Sequence, residues 1–320
     1  MKITVIGGAG FIGSNLIGRL LKLGAGQITA FDNFSSGKLW HLEPLLADER
    51  LKLIRADITE QDQLMEAMAG TDILYHLASN PDISRAVTEP AVDFDRGTLL
   101  THLVFEAARK AKVGSIVYAS GSGVFGDDAT REFDEESFSP RPTSTYAASK
   151  IAGEALLSAY CSMFGINGLT YRFANVVGPN QTHGVGFDFI RKLRLDPTRL
   201  NVLGNGLQSK SYIHVDDVVD GLVLFLAKGF TGYDYFNLCT GDYITVKQIA
   251  ASVISEMGLT DVAVQYGVTP KGWSGDVPII RFSSEKARRA GWTNRSSSSE
   301  AMRLSIRGML SNIAARKLEI

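Results

Sequence analysis

The sequence predicts an α/β fold, in which a doubly wound parallel sheet is accompanied by a smaller α/β domain. In the first half of the chain, short apolar segments alternate with helical patterns, which is typical of right-handed βαβ units. The apolar segments contain few polar residues, as expected for strands that helices cover on both faces. We expect strands at residues 2–6, 27–31, 51–56, 72–78, 114–120 and 167–173, and helices near 11–23, 60–69, 97–111 and 146–164.

The alternation stops after about residue 174, where the loops lengthen and short helices and strands mix. We therefore predict one domain at residues 1–174 and a second, smaller domain at residues 175–320 that is partly interleaved with the first. Ser297 and Glu300 have the spacing of a capping box, so we expect a helix to begin there.

The composition is that of a globular protein, with 320 residues, 45% hydrophobic and 21% charged, and a net charge of −1. Because the basic residues are scattered, the sequence predicts no nucleic-acid partner. The two cysteines lie far apart and the five histidines lack ligand-like spacing, so no metal site is predicted. The apolar runs are too short for a signal peptide or a membrane span, which favours a cytoplasmic protein without a membrane partner.

A glycine-rich turn follows the first expected strand. Gly7, Gly10 and Gly13 form a G-x-x-G-x-x-G pattern that leads into a helix, as in Rossmann-type folds, where such glycines let the backbone approach a pyrophosphate. Asp32 lies about 20 residues on, where a carboxylate binds the ribose of a dinucleotide. Because Asp32 would repel a 2′-phosphate, the predicted cofactor is NAD rather than NADP. Asp57, after the third strand, either meets the adenine edge or caps a helix.

Tyr146 and Lys150 form the predicted catalytic pair. They stand four residues apart on an expected helix and so share one face. A phenol is a poor base at neutral pH, but a nearby ammonium and a positively charged nicotinamide both favour phenolate and lower its pKa. The pair can then take a proton from a sugar or alcohol hydroxyl while NAD accepts a hydride.

Motifs along nearly the whole chain show a family resemblance in their order and spacing. They are GGAGFIG (7–13), DNFSSG (32–37), HLA (76–78), VFGD (124–127), YAASK (146–150), RFANVVGP (172–179), YIHVDD (212–217) and SGDVP (274–278). Together they resemble the extended short-chain dehydrogenase/reductase family. More narrowly, they are similar to its NAD-dependent nucleotide-sugar epimerases of the UDP-galactose 4-epimerase type.

The resemblance implies a recycled NAD, a UDP-sugar substrate and a homodimer formed through the helices near 97–111 and 146–164. Tyr146 would remove the 4-OH proton while hydride leaves C4, and the 4-keto sugar would turn over before hydride returns. The implied catalytic residues are Tyr146, Lys150 and Ser122. The implied cofactor ligands are Gly7, Gly10, Phe11, Ile12, Gly13, Asp32, Asn33, Ser35, Ser36, Gly37, Asp57, Ile58, Leu77, Ala78, Ser79, Ser120, Tyr146, Lys150 and Phe173. The implied substrate ligands are Ser122, Tyr146, Asn175, Val202, Lys210, Tyr212, Trp273 and Asp276.

Two glycines depart from the family pattern. Gly121 stands where relatives usually have the Ser or Thr that hydrogen-bonds the reacting hydroxyl, and Gly97 stands where they usually have a structural Asn. We expect a displaced hydroxyl, with Ser122 favoured over Ser120 or a water, because glycine neighbours let the backbone leave regular strand geometry. Without any such hydroxyl, the rate would fall by roughly 10²–10³.

The expected diphosphate contacts also differ from the family pattern. Lys210 and Trp273 stand where relatives often have arginines, and a lysine cannot form the bidentate fork of a guanidinium. Arg191, Lys192 and Arg281 are candidates to compensate, although each is equally well explained as a surface charge.

Four alternatives to a UDP-hexose 4-epimerase follow from the same residues. A dehydratase is disfavoured because Ser122 and Gly123 stand where its acidic pair belongs. A net-redox reductase is disfavoured by Asp32. A UDP-hexuronate 4-epimerase would use Thr182, His183 and Arg191 for the sugar carboxylate. A non-catalytic NAD-binding protein would explain both family departures, but the catalytic pair and the second-domain pattern favour an enzyme.

Overall fold

A computed structural model describes residues 1–137 and 141–315 of the chain. Its central feature is a seven-stranded sheet in the order β11-β6-β5-β4-β1-β2-β3. Strands β1 to β5 pair in parallel with their neighbours, so the predicted Rossmann-type sheet is confirmed. The seven strands are β1 (Lys2–Ile6), β2 (Gln27–Asp32), β3 (Leu51–Arg55), β4 (Ile73–His76), β5 (Ser115–Gly121), β6 (Asn167–Phe173) and β11 (Tyr233–Leu238).

Short strands form three further two-stranded sheets. The pairs are β10 with β7, β12 with β9 and β13 with β8. These strands are β7 (Asn175–Val177), β8 (Arg199–Val202), β9 (Ser209–Lys210), β10 (Tyr212–His214), β12 (Ile244–Thr245) and β13 (Ala263–Tyr266).

Helices connect most of the strands. They are α1 (Phe11–Lys22), α2 (Leu39–Leu42), α3 (Gln61–Met68), α4 (Ala91–Asp93), α5 (Leu100–Lys110), α6 (Thr145–Phe164), α7 (Val185–Leu195), α8 (Val215–Leu222), α9 (Val246–Glu256), α10 (Glu285–Arg289) and α11 (Ser298–Ala314). Short 3-10 turns occupy Glu43–Leu45, Arg85–Val87 and Ser122–Phe125. In the described part of the chain, no helix is long and apolar enough to cross a membrane.

The chain divides into two compact units. The first comprises residues 1–124, 145–172 and 219–236, and the second comprises residues 125–144, 173–218 and 237–320. The first unit therefore contains most of the large sheet. The second contains the short strand pairs and the helix α11, whose N-terminus has the predicted capping box between Ser297 and Glu300.

The core of the first unit follows from the apolar strands. In β1, four successive residues after Lys2 are buried, as a strand covered on both faces requires. The aromatic side chains of Phe31, Phe105 and Tyr118 are almost completely buried in one apolar cluster. The polar Thr4 is also buried in β1, and its hydroxyl is paired with Thr71 and the Ala67 carbonyl.

Two elements differ from the sequence prediction. Strand β11 was not predicted, because its first half carries Asp234 between two tyrosines and is only half-buried. The helix expected from residue 97 begins earlier, as a π-helical turn at Phe94–Leu99 that continues into α5. Gly97 lies inside that turn.

Gly153 is a position where close packing requires glycine. It lies on α6 where a methyl group would overlap the hydroxyl of the buried Tyr118. We predict that Gly153→Ala lowers the free energy of unfolding by about 1–3 kcal/mol, as overpacking does. Urea denaturation checks this, with Gly18→Ala as the matched control. A methyl group at Gly18 would meet Leu45 at an ordinary 3.7 Å, so the control should be neutral or stabilising; equal losses in both variants would contradict the packing argument.

Candidate active site

The glycine turn forms a cradle at the start of helix α1. Gly7 has a φ of +83°, which favours glycine, and a side chain there would lie 2.8 Å from the Ala78 backbone nitrogen. Gly10 is the N-cap of α1 and provides no side-chain cap. The backbone N–H groups of the first turn are therefore suited to an anionic ligand such as a pyrophosphate.

Asp32 is fixed beside this turn. Its carboxylate accepts hydrogen bonds from the backbone nitrogens of Ala9, at 2.9 Å, and Phe34, at 2.8 Å. Burial raises the pKa of Asp32, while these backbone donors oppose the rise. Gly37 passes so close that a Cβ would lie 2.8 Å from Asp32 Oδ1. A carboxylate held in this way beside the anion cradle fits the ribose of NAD.

Asp57, which follows β3, bonds to Asn33, which follows β2. It accepts a hydrogen bond of 2.7 Å from Asn33 Nδ2 and others from Thr59. The Thr59 backbone N–H is the main cause of the lowered pKa of Asp57. The alternative interpretation of Asp57 as a helix cap is wrong, because the N-cap of α3 is Glu60.

The other predicted cofactor residues of the first unit also lie near strand ends. Phe11 and Ile12 open α1, Ser35 and Ser36 follow β2, Ile58 follows β3, and Leu77, Ala78 and Ser79 follow β4. Because these strands are parallel neighbours, their carboxyl ends meet at one edge of the sheet. Phe173, at the end of β6, is buried and belongs to the second unit.

The structure brings Tyr146 and Lys150 together on the first turns of α6. The Lys150 Nζ lies 5.6 Å from the centroid of the Tyr146 ring and 5.1 Å from that of the Tyr118 ring. It also donates a 2.8 Å hydrogen bond to the Ala119 carbonyl near the end of β5. The ammonium is thus buried and held between the sheet and the phenol.

Burial dominates the ionisation of Tyr146 in the protein without its cofactor. Burial raises the pKa of Tyr146 to about 12, the Ser79 hydroxyl opposes this rise, and the charge of Asp93 adds to it. The predicted lowering of this pKa by the Lys150 ammonium together with a positively charged nicotinamide stays a prediction, because the value of about 12 applies to the protein without its cofactor.

Lys150 is also shifted by burial. Loss of solvation lowers its pKa to about 8, while the negative charges of Glu154 and Asp93 raise it. At neutral pH the side chain therefore still holds its proton. A buried ammonium of this kind can stabilise a developing phenolate.

A buried ionic network lies behind Lys150. Glu154, one helical turn further on α6, accepts hydrogen bonds from Arg172 Nη2 at 2.6 Å and from Ser120 Oγ at 2.5 Å. The sequence analysis missed this network, although the four-residue spacing from Lys150 places Glu154 on the same helix face. The Ser120 hydroxyl already donates its proton to Glu154. It is therefore not available to donate to the reacting hydroxyl of the substrate, which is the role that relatives give to residue 121.

Asp93 is a second buried carboxylate that the sequence analysis missed. It is 1% exposed and accepts hydrogen bonds from Asn80 Nδ2, at 2.8 Å, and from Thr145 Oγ1, at 2.7 Å. Thr145 immediately precedes Tyr146, so Asp93 connects the segment after β4 to the start of α6. No sequence motif marks Asp93, because its partners come from distant segments.

The two unusual glycines have different surroundings. Strand β5 ends at Gly121, and Ser122 begins a 3-10 turn, so regular strand alternation does not extend to Ser122. At Gly97, a Cβ would lie 2.5 Å from Ser149 Oγ. The place of the usual asparagine is therefore filled by Ser149, a helix neighbour of Lys150.

The predicted substrate residues of the second unit lie on its short strands. Asn175, on β7, donates to the Ser211 carbonyl at 3.2 Å. Lys210, on β9, is paired with Asp276 at 2.7 Å, and Trp273 accepts a backbone hydrogen bond from Asp276. Val202, on β8, and Tyr212, on β10, are buried. The charge of Lys210 is therefore shared with a carboxylate.

The basic candidates for a diphosphate differ in their partners. Arg191 and Lys192 both pair with Asp188 on their own helix, at 3.0 and 2.7 Å. Arg281 instead donates to the carbonyl and hydroxyl of Ser209, at 2.9 and 3.0 Å. Of these three side chains, Arg281 is the one that contacts Ser209, the residue immediately before Lys210.

The fold and the site point to a family of NAD-dependent enzymes, and comparison with known sequences identifies that family. Residues 3–239 match the NAD dependent epimerase/dehydratase family. The chain belongs to this family, and NAD is its cofactor. It is 31% identical over 300 residues to a UDP-glucose 4-epimerase from Mycolicibacterium smegmatis, covering 91% of this chain and 93% of the relative.

Solved structures support the same family. A UDP-glucose 4-epimerase from Thermus thermophilus in complex with NAD superposes with a TM-score of 0.86 at 29% identity, covering 97% of this chain and 99% of that one. A dTDP-glucose 4,6-dehydratase from Streptomyces venezuelae, with NAD bound, has a TM-score of 0.90 at 25% identity and covers 98% of both chains. The chain is thus similar to both epimerases and dehydratases.

Asp32 gives a direct test of cofactor selection. We predict that Asp32→Asn weakens NAD⁺ binding by about 10- to 100-fold, since a hydrogen bond to a charged group contributes about 1.5–3 kcal/mol. The preference for NAD⁺ over NADP⁺ should fall as well, because the repulsive carboxylate is lost. Calorimetric titration with both dinucleotides checks this, with Asp48→Asn as the control, since Asp48 pairs with Arg50 on the surface. Unchanged selectivity in Asp32→Asn would contradict the assignment.

Proposed function

We propose that the protein is a nucleotide-sugar 4-epimerase that acts on a UDP-hexose of the UDP-glucose/UDP-galactose type. The observation that carries this proposal is the end of β5, where Gly121 is the last strand residue and Ser122 and Gly123 open a 3-10 turn. A dehydratase needs carboxyl groups at this point to eliminate water from the sugar. The site instead offers a phenol and an ammonium, which suffice to move one proton.

The side chains act on a single hydroxyl. Tyr146, as phenolate, accepts the proton of the sugar 4-OH, and Lys150 holds the positive charge that stabilises the phenolate. NAD⁺, when bound, supplies the hydride chemistry at C4 and adds a positive charge. After the 4-keto sugar has turned over, Tyr146 returns the same proton to O4. The sugar is thereby inverted at C4 without net oxidation.

The cofactor-free pKa of Tyr146 supports a coupling between binding and chemistry. At a pKa of about 12 the phenol is almost entirely protonated at neutral pH. A positive charge close to the phenol favours the ionised form. We therefore infer that the base is activated only when the oxidised cofactor is present.

The substrate ligands are part of the same proposal. Asn175, Val202 and Tyr212 are proposed to hold the sugar nucleotide, and Lys210 and Arg281 its diphosphate. The alternative hexuronate substrate needs a cation for its carboxylate, and the pairing of Arg191 with Asp188 counts against it.

We further propose a homodimer. Phe94 lies next to one of the expected dimer helices and is 59% exposed, and Met163 lies within the other and is 71% exposed. Exposed apolar side chains of this kind favour a protein interface. Light scattering of the purified protein tests the oligomeric state.

The experiment is a turnover screen with added NAD⁺. The panel contains UDP-glucose, UDP-galactose, their N-acetyl forms, the two UDP-hexuronates and dTDP-glucose, and the C4 configuration of each product is read by NMR. We expect interconversion of UDP-glucose and UDP-galactose without accumulation of NADH. Loss of water from dTDP-glucose would establish a dehydratase. Interconversion of the hexuronates alone would establish the second candidate, and silence in NAD-loaded protein would favour a binding protein.

A further inference from the structure

Ser79 follows β4, which is the sheet neighbour of the strand that ends at Gly121. Strands β4 and β5 are parallel neighbours in which His76 is paired with Tyr118. Strand β4 ends at His76 and β5 continues to Gly121, so Ser79 and Gly121 each lie three residues beyond this pair in their own segments. Ser79 and Gly121 therefore stand at the carboxyl ends of neighbouring parallel strands, on the edge of the sheet where Lys150 donates to the Ala119 carbonyl.

The same serine is held close to the catalytic tyrosine by a shared carboxylate. Asn80 and Thr145 both hydrogen-bond to Asp93, at 2.8 and 2.7 Å. Asn80 follows Ser79 and Thr145 precedes Tyr146, so Asp93 fixes the two backbone segments relative to each other. Because Asp93 is buried, this connection is shielded from solvent.

The Ser79 hydroxyl still has hydrogen-bonding capacity. Its Oγ is buried and, apart from its interaction with the Tyr146 phenol, has no partner among residues 1–137 and 141–315. A buried hydroxyl without its full set of partners is unfavourable unless a ligand supplies them. Ser120, in contrast, is already bonded to Glu154.

We propose that Ser79 is a catalytic residue that supplies the hydroxyl missing at position 121, by hydrogen-bonding the reacting oxygen of the substrate together with Tyr146. This inference rests on the proposed function for the identity of that oxygen, the sugar O4. Ser79 donates to the oxygen as it loses its proton and thereby stabilises the negative charge shared with the phenolate. The hydroxyl has thus moved from β5 to the segment after β4, in place of the predicted Ser122.

The test measures the rate of hydride transfer in a single turnover of NAD-loaded protein. The absorbance of the reduced nicotinamide reports the transfer. Ser79→Ala should slow this step by about 10- to 100-fold, because it removes one hydrogen bond to a developing charge. The NAD⁺ content of the variant should be unchanged. The double variant Ser79→Ala/Gly121→Ser should recover most of the rate, because it restores the hydroxyl on β5, whose extended backbone accepts a side chain. Ser158→Ala, which removes a hydroxyl from α6 away from Tyr146, is the matched control.

A second measurement is independent of any sugar. The ultraviolet titration of the Tyr146 phenol, taken as the difference from the corresponding Tyr146→Phe protein, should show a higher pKa in Ser79→Ala than in the wild type. The charged groups facing this phenol, Asp93 on α4 and Lys150 on α6, are unchanged in the comparison. If the wild type turned over no sugar nucleotide, the proposed function would fail while this titration still tested Ser79.

Three outcomes would overturn the proposal. An unchanged phenol pKa in Ser79→Ala would show that the hydroxyl does not act on Tyr146. Loss of NAD⁺ from Ser79→Ala, without rescue by Gly121→Ser, would identify Ser79 as a cofactor ligand only. A slow hydride transfer in Ser122→Ala together with a normal rate in Ser79→Ala would return the role to Ser122.

Discussion

Tyr146→Phe is expected to reduce turnover by about 10²–10⁴-fold, the usual contribution of a positioned general base. The substitution removes one oxygen atom and leaves the ring beside Lys150. NAD⁺ binding and the affinity for the sugar nucleotide should therefore change little. Steady-state kinetics on the sugar pair identified by the screen, together with the NAD⁺ content of the purified protein, measure both effects.

Tyr160→Phe is the matched control for this prediction. Tyr160 lies on the same helix, and its hydroxyl contacts Glu106 at 3.3 Å, away from the catalytic pair. The control should turn over at close to the wild-type rate. If Tyr146→Phe also retained its rate, a different group would have to be the base, and the assignment of the site would be wrong.

Glu154→Ala is expected to lower the free energy of unfolding by about 3–5 kcal/mol, as when one partner of a buried ion pair is removed. The side chains of Glu154 and Arg172 are only 8% and 5% exposed. Without Glu154, the guanidinium stays buried and loses the carboxylate that it bonds to, and Ser120 loses its acceptor. Urea denaturation measures the loss, and Glu154→Gln, which keeps an acceptor, should lose less and remain folded.

Two comparisons separate the loss of charge pairing from a general effect of substitution. Glu89→Ala breaks the exposed ion pair with Arg85 and should change stability little, because solvent screens such pairs. The double variant Glu154→Leu/Arg172→Met should be more stable than Glu154→Ala, since it leaves no unpaired charge. Equal stability of Glu154→Ala and Glu89→Ala would show that the buried pair contributes little.

Much of the first unit could be predicted from local sequence. Six strands of the large sheet were predicted within a few residues, because a strand covered on both faces must be apolar along its length. Strand β11 was missed, since Asp234 and its tyrosine neighbours lie in a half that remains partly exposed. The glycine turn and Asp32 could be recognised because their spacing is fixed within a single βαβ unit.

The sequence by itself also determined that Tyr146 and Lys150, the proposed catalytic pair, lie together, because a helix places residues four positions apart on one face whatever surrounds it. Only the tertiary structure decided how that pair ionises and what assists it. The high pKa of Tyr146 depends on burial, and Asp93, Glu154 and Ser79 act through partners that are distant in sequence. Such contacts are set by the register of neighbouring strands and the packing of α6 on the sheet, which no local pattern specifies.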